Sequence, residues 1–433
     1  MFKILLQIHF ISAILILNTA CSNSNSDADS PQSAVVIDST VVRSQTNTRN
    51  LMYKNDPTIS YCESTGGDIN TYSGYRDLKP YALASVSKIF LSAWALNKLG
   101  PDYRFQMIWK LKKITNDGTF DAILETNYDP IVNIEKILLA LIELKKKGVF
   151  KIRHLVIDET TRIYLSVLSN PHLELTDVPL TTDQTIENLN IILNSKNWGA
   201  QTQTALANLK NPESVPKQFS VEQISYLPRQ QMNTLGYTQT VKISSAILLK
   251  YLKNLNTFSN NYVTDGLFTF LGGASEFENF QRNDLKIPKS ELQIYTGSGL
   301  STEVSGRRQD NLGSCLSVLK TLKYLDILAV NNNLNLGHIL LTAGVDSGTY
   351  ESNITFNNNI VLKTGRLFDV PTLNVAGVSS SVIGNTYFAF MAHDFENADE
   401  SNVKIKRDQL ISDLIQIKPQ KNSFLSMDLN NLF

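Results

Sequence analysis

From residue 85 to 99 apolar side chains occupy nearly every face of a projected helix: Ile89, Phe90, Leu91, Ala93, Trp94, Ala95, Leu96 and Leu99. A helix that is apolar all round belongs inside a domain, and Gly100-Pro101 ends it. Upstream, Thr58-Ile59-Ser60-Tyr61-Cys62 alternates before Gly66-Gly67 and Ser73-Gly74, which predicts a hairpin leading into that helix. Residues 105–158 read as mixed α/β, with a strand over 118–124, a helix over 134–147 and a buried strand over 152–157. From 160 to about 237 the pattern turns polar, with Pro171, Pro179, Pro212, Pro216 and Pro228 and one helical stretch near 187–193, and reads as an insertion. Beyond it, 241–255 and 260–271 read as helices, and 360–363, 372–378 and 387–393 as strands.

At 433 residues the chain has room for two or three domains, or for one large discontinuous domain with an insertion. Lys and Arg number 40, as do Asp and Glu, so nothing in the net charge points to a polyanionic partner, and no nucleic acid is expected. Residues 1–20 carry one early cation, Lys3, then an apolar stretch and small residues, as an export signal does. Leu17-Asn18-Thr19-Ala20-Cys21 resembles a bacterial lipoprotein cleavage site, which makes Cys21 the candidate lipidation residue. Ser22 after it resembles outer-membrane sorting, so the expected location is the periplasm, with contact to the membrane through a lipid anchor only. The Ser-, Asn-, Asp- and Thr-rich segment 21–50 reads as a flexible tether. Of the remaining cysteines, Cys62 and Cys315 could pair in an oxidising compartment. The 5 histidines are scattered and neither cysteine has ligand spacing, so no metal or other cofactor is expected.

The chemistry is in three short motifs: Ser85-Val86-Ser87-Lys88, then Ser259-Asn260-Asn261, then Lys363-Thr364-Gly365. Alone each is weak, since Ser-x-x-Lys recurs at Ser214/Lys217, Ser317/Lys320 and Ser401/Lys404, and Ser-x-Asn at Ser195/Asn197. Order and context make the case for a serine acyl-transfer site. A Ser in the first helical turn and a Lys three residues on share a face, so the amine can take the hydroxyl proton. Burial and a second cation, Lys363, would favour the neutral amine. Ser259 would relay a proton to a leaving amine, Asn261 would hold substrate backbone, and Lys363 with Thr364 suits a terminal carboxylate. Gly365 permits close approach of backbone.

With these motifs go Ala84 through Lys88 followed by Leu99-Gly100-Pro101-Asp102-Tyr103-Arg104-Phe105, then Gly297-Ser298-Gly299-Leu300-Ser301 and Ala343-Gly344-Val345-Asp346-Ser347-Gly348-Thr349. The set resembles the low-molecular-mass, class C penicillin-binding D-alanyl-D-alanine carboxypeptidases/endopeptidases over roughly residues 57–158 and 236–395. The resemblance implies an α/β penicillin-binding-protein/serine β-lactamase-like transpeptidase fold: a five-stranded antiparallel sheet flanked by helices, plus a helical subdomain. It divides the chain into a discontinuous peptidase domain at 51–158 and 238–420, a short insertion at 159–237 and a tail at 421–433. It implies Ser85 as acylated nucleophile, Lys88 as its base, Ser259 and Lys363 as proton-relay partners, and Asn261 and Thr364 as substrate-binding residues; Gly365 and Arg366 are the further substrate-binding candidates, with Arg366 either adding a bidentate grip on a carboxylate or obstructing the cleft. The backbone N–H groups of Ser85 and Arg366 would form the oxyanion hole. Substrates would be peptidoglycan stem peptides and cross-links, with β-lactams as inhibitors. Arg366 stands where the family usually has a small hydroxyl residue, and Thr296 where it has an acidic one. Two other outcomes stay open at this level: a β-lactamase or esterase on the same fold, and a non-catalytic peptidoglycan-binding lipoprotein.

Overall fold

The computed structural model describes residues 56–66, 72–167, 180–350, 354, 356, 358–381, 384–396, 399–416 and 423–428. The expected signal at 1–20, the tether at 21–50 and Cys21 lie outside the described residues.

A six-stranded sheet forms the backbone of the molecule, in the order Leu341–Thr342, Ile360–Leu367, Thr372–Ser381, Gly384–His393, Ile59–Thr65 and Ser73–Tyr75, antiparallel throughout. That is one short strand more than the five expected, the extra one being the two-residue edge at Leu341–Thr342. Side chains alternate between two cores, as a period of two requires. Val361, Ala376, Val378, Ala389 and Met391 join the helical core, while Ile360, Leu362, Val375, Phe388 and Phe390 pack with Leu410, Ile411 and Leu414 of the C-terminal helix Glu400–Gln416. Covered on both faces, the strands read as near-continuous apolar runs. The edge strand Leu341–Thr342 meets Ile360–Leu367 only at Val361 and Leu362, so from Lys363 onward that side of the strand carries no sheet partner among the described residues.

The helical core centres on Ser87–Leu99, in which the residues from Ser87 to Leu96 are all buried, with Leu248–Thr257, Asn261–Leu271 and Cys315–Asn331 around it. Cys62 on the sheet and Cys315 at the start of its helix form a disulfide, with Cα atoms 6.0 Å apart.

The second body differs from the sequence-based division. A separate five-stranded sheet runs Ser220–Tyr226, Lys151–Ile157, Thr119–Glu125, Gln106–Lys113 and Gln239–Ser244, with its own core. Residues 106–157, expected within the peptidase domain, thus share a sheet with the 220–244 segment, most of which was expected to be insertion. The expected helix over 241–255 splits into the strand Gln239–Ser244 and the helix Leu248–Thr257. The polar stretch has a topological origin: Ser220–Tyr226 lies parallel to Lys151–Ile157, and a parallel pair needs a long crossover. The helices Thr182–Leu193 and Ala200–Asn208 belong to that crossover, burying only stripes such as Leu189, Ile192 and Leu193.

Candidate active site

Ser85 sits on a 3₁₀ turn, Ala84–Val86, rather than in the first α-helical turn; the α-helix begins at Ser87. The turn is strained, since Ala84 has φ +49°, a left-handed conformation that a residue with a Cβ seldom adopts. Three neighbours hold it there. Asn374 Nδ2 donates to the carbonyls of Ala82 (2.8 Å) and Leu83 (3.0 Å), and Leu83 N–H donates to the Asn311 carbonyl at 2.9 Å. Gly299, at φ +85°, packs so closely that a Cβ there would lie 1.9 Å from the Ala84 carbonyl oxygen. Strain over-determined in this way is the pattern of a pre-organised functional turn.

Lys88 Nζ lies 2.9 Å from Ser85 Oγ, 2.8 Å from Asn261 Oδ1 and 2.8 Å from the Ser298 carbonyl oxygen. Two of these three neighbours, the amide and peptide oxygens, can only accept. A neutral amine has two N–H groups and one lone pair; with both N–H groups given to Asn261 and Ser298, the lone pair is left for the Ser85 hydroxyl proton. Lys88 is 0 % exposed.

Ser259 precedes the helix Asn261–Leu271, which Asn260 caps by accepting from Val263 N–H at 3.0 Å. Ser259 is also in the left-handed region, at φ +58°. Lys363 Nζ, likewise 0 % exposed, donates to Ser259 Oγ at 3.1 Å and to the Thr364 carbonyl at 2.8 Å. Burial, and after it the charge of Lys88, drives the Lys363 amine well below the ordinary lysine value. Thr364 Oγ1 lies 2.8 Å from Thr349 Oγ1, at the end of the 343–349 segment. Gly365 presses against the turn that carries Ser85: an added Cβ would stand 2.8 Å from the Leu83 carbonyl oxygen and 3.2 Å from Ser85 N.

All three motifs therefore converge on one cleft of about 750 Å³, whose wall includes Ser85, Ser259, Asn261, Thr364, Gly365 and Arg366. Arg366 is on the wall but engaged elsewhere: its guanidinium donates to Glu400 Oε2 at 2.7 Å and lies 4.1 Å from the Phe368 ring centroid. Sequence reasoning missed three supporting residues. Asn311 ties the start of the helix Ser87–Leu99 to the 295–296 segment, donating to Ser87 Oγ and the Thr296 carbonyl while accepting from Tyr295 and Thr296 N–H. Asn374, a buried amide in an apolar strand, was a detectable anomaly. Asp265, four residues after Asn261 on the same helix, accepts from Ser298 N–H at 2.8 Å.

The family model for D-Ala-D-Ala carboxypeptidase 3 (S13) matches residues 227–414. No curated protein matches the chain. Among solved structures, the Bd0816 predatory endopeptidase from Bdellovibrio bacteriovorus, in complex with immunity protein Bd3460, is 27 % identical, with 86 % of this chain and 97 % of that chain covered and a TM-score of 0.71. Penicillin G acylated Bd3459 predatory endopeptidase, from the same organism and with the same immunity protein, is 20 % identical over 86 % of this chain and 96 % of that one, with a TM-score of 0.71. Penicillin binding protein 4 (dacB) from Haemophilus influenzae is 17 % identical, covering 84 % and 99 %, with a TM-score of 0.57. Motifs, fold and family match agree: the chain has the fold of these penicillin-binding proteins, and its residues 227–414 match the D-Ala-D-Ala carboxypeptidase 3 (S13) family.

Proposed function

We propose that the protein is a serine DD-carboxypeptidase/endopeptidase that hydrolyses peptide bonds after D-alanine in peptidoglycan stems and cross-links. The observation that carries the proposal is the pairing of two buried lysines with two serines in one cleft, Lys88 with Ser85 and Lys363 with Ser259. Ser85 Oγ attacks the D-Ala carbonyl as its proton passes to Lys88, giving a tetrahedral oxyanion. The N–H groups of Ser85 and Arg366 stabilise that oxyanion, and Gly365 keeps the strand close enough for both to reach it. Ser259, bonded to Lys363, carries a proton to the leaving amine; the bond to the amine breaks and the acyl group remains on Ser85. Asn261 orients the substrate backbone and Thr364 binds the carboxylate beside the scissile bond. Arg366 joins in only if its guanidinium leaves Glu400. Water then attacks the ester and releases the shortened peptide. A β-lactam has no diffusible leaving amine, so its acyl-enzyme persists.

Such a substrate lies outside the cytoplasm. Lipidation at Cys21, with the 21–50 segment as tether and outer-membrane sorting through Ser22, would give the peptidase reach into the wall. We read the peptidase body as discontinuous, interrupted by the smaller sheet. The test is incubation of the purified protein with a fluorescent penicillin, followed by intact mass for wild type and Ser85→Ala. A stable adduct in the wild type alone is expected, followed by cleavage of D-Ala-terminated pentapeptide or of cross-linked muropeptide dimers. Absence of both adduct and penicillin hydrolysis would refute the reading. Loss of labelled fatty-acid incorporation in Cys21→Ala would test the anchor.

A further inference from the structure

We propose that Asp265 is a positioning residue for acylation: its carboxylate clamps the Gly297-Ser298 turn so that the Ser298 carbonyl fixes Lys88 on Ser85, and it sets a negative charge near Lys88. Four observations converge on this. Asp265 accepts from Ser298 N–H at 2.8 Å, and the Ser298 carbonyl accepts from Lys88 Nζ at 2.8 Å, so two hydrogen bonds link the carboxylate to the base. Ser298 is buried, and a Cβ on Gly297 would lie 2.6 Å from the Thr264 carbonyl oxygen, so the turn is wedged against the helix that carries both Asp265 and Asn261. Asn261 and Asp265 are four residues apart, one turn of the same helix, so one element supplies Lys88 with an amide acceptor directly and a peptide acceptor through Ser298. Finally, the site holds two buried amines, and the charge of Lys88 acts on Asp265 as well as on Lys363.

Charged and titratable groups approach this cluster from several elements. Lys88 comes from the nucleophile helix and Lys363 from the sheet. Tyr128, Tyr262, Asp129, Glu159 and Arg162 line, with Asp265, a cavity of about 210 Å³. Burial pushes the Asp265 carboxyl up, while hydrogen bonds from Ser298 and the charge of Lys88 pull it back towards ionisation.

The inference rests on the acylation reading above, and the two fail differently: without adduct in the wild type the reading itself falls, whereas this inference is judged on variants of an enzyme that acylates. Second-order acylation by penicillin is measured from pH 5 to 10 for wild type, Asp265→Asn and Asp265→Glu. Asn keeps an acceptor for Ser298 N–H but removes the charge, so Lys88 releases its proton at lower pH and the acid limb moves to the acid side by about one pH unit. Glu keeps the charge but lengthens the side chain, so the limb stays in place while the rate falls about tenfold or more through misplacement of Lys88. An Asn profile that superimposes on the wild type, or moves to the alkaline side, overturns the inference. Should Asp265→Asn fail to fold, the Glu variant decides alone: wild-type rate at every pH overturns the inference, and a slower rate with an unmoved limb supports it.

Discussion

Replacing Gly365 with Ala tests whether the contact between strand and nucleophile turn sets the reactive geometry. The added methyl would stand 2.8 Å from the Leu83 carbonyl oxygen, 3.0 Å from Val86 N and 3.2 Å from Ser85 N, against an ordinary contact that begins near 3.4 Å. All three neighbours are backbone atoms of a turn already fixed by Asn374 and Asn311, so the strand must retreat by about 0.6 Å, the gap between 2.8 and 3.4 Å. An oxyanion donor is effective over about 2.7–3.1 Å, a window narrower than that retreat. Losing one such donor costs about 3–4 kcal/mol of transition-state stabilisation, so acylation should slow roughly 100- to 1,000-fold. Overpacking should destabilise the fold by only about 1–3 kcal/mol. The assay is stopped-flow acylation by a fluorescent penicillin alongside thermal melting, which separates misplacement from unfolding. An Ala variant that melts like the wild type and acylates within about threefold of it would refute the argument, because the 100-fold loss expected from a displaced donor would be missing.

Three further outcomes follow from the described geometry. Lys363→Met should abolish acylation yet melt higher than wild type at pH 7. The folded site resists a proton that the unfolded chain binds, so the wild-type contribution is complete above the ordinary lysine value, is lost as pH falls through the depressed folded value, and the gap should close towards pH 10; a Met variant less stable at pH 7 would contradict this. Cys62→Ala with Cys315→Ala should lower the melting temperature, since the bridge spans a sequence separation of 253 and such loops are worth about 5 kcal/mol in the chain-entropy account; an unchanged melt under oxidising conditions would remove the bridge from the stability argument. Arg366→Ser should change penicillin acylation by less than about threefold and stability by less than about 1 kcal/mol, because a guanidinium 42 % exposed and bonded to Glu400 has little of its energy directed into the cleft; a tenfold fall in acylation would show instead that Arg366 grips substrate.

How much of this was legible depended on how local the signal is. Ser85 and Lys88 are three residues apart, so a 3₁₀ turn running into the helix brings them together, although the strain at Ala84 is held by residues distant in sequence. The remaining partners were recognisable by motif, although separations such as that between Lys363 and Ser259 are closed only by the tertiary fold. Asp265 and Asn311 act on backbone groups of turns, and a residue bonded to peptide groups leaves no pairing pattern in the sequence. The smaller sheet was misdivided for a related reason: Ser220–Tyr226 is an edge strand with only Val221 fully buried, so it lacks the apolar run that marks its neighbour Lys151–Ile157. Val241 and Ile243 were absorbed into a helical pattern because Leu248, Leu249 and Leu252 follow at helical spacing.

The bridge from Cys62 to Cys315 has a consequence for how the chain withstands proteolysis. Both bridged residues belong to the helical core and its sheet, and the entire smaller sheet, with its long polar crossover, lies in the segment between them. That segment is therefore a covalent ring. A protease that nicks it once beyond Ser85 opens the ring but releases nothing: the fragment carrying Ser85 stays tied through Cys62 to the fragment carrying Cys315 and Lys363. Nicked protein should run as one species on a non-reducing gel and as two after reduction, and it should still take up penicillin.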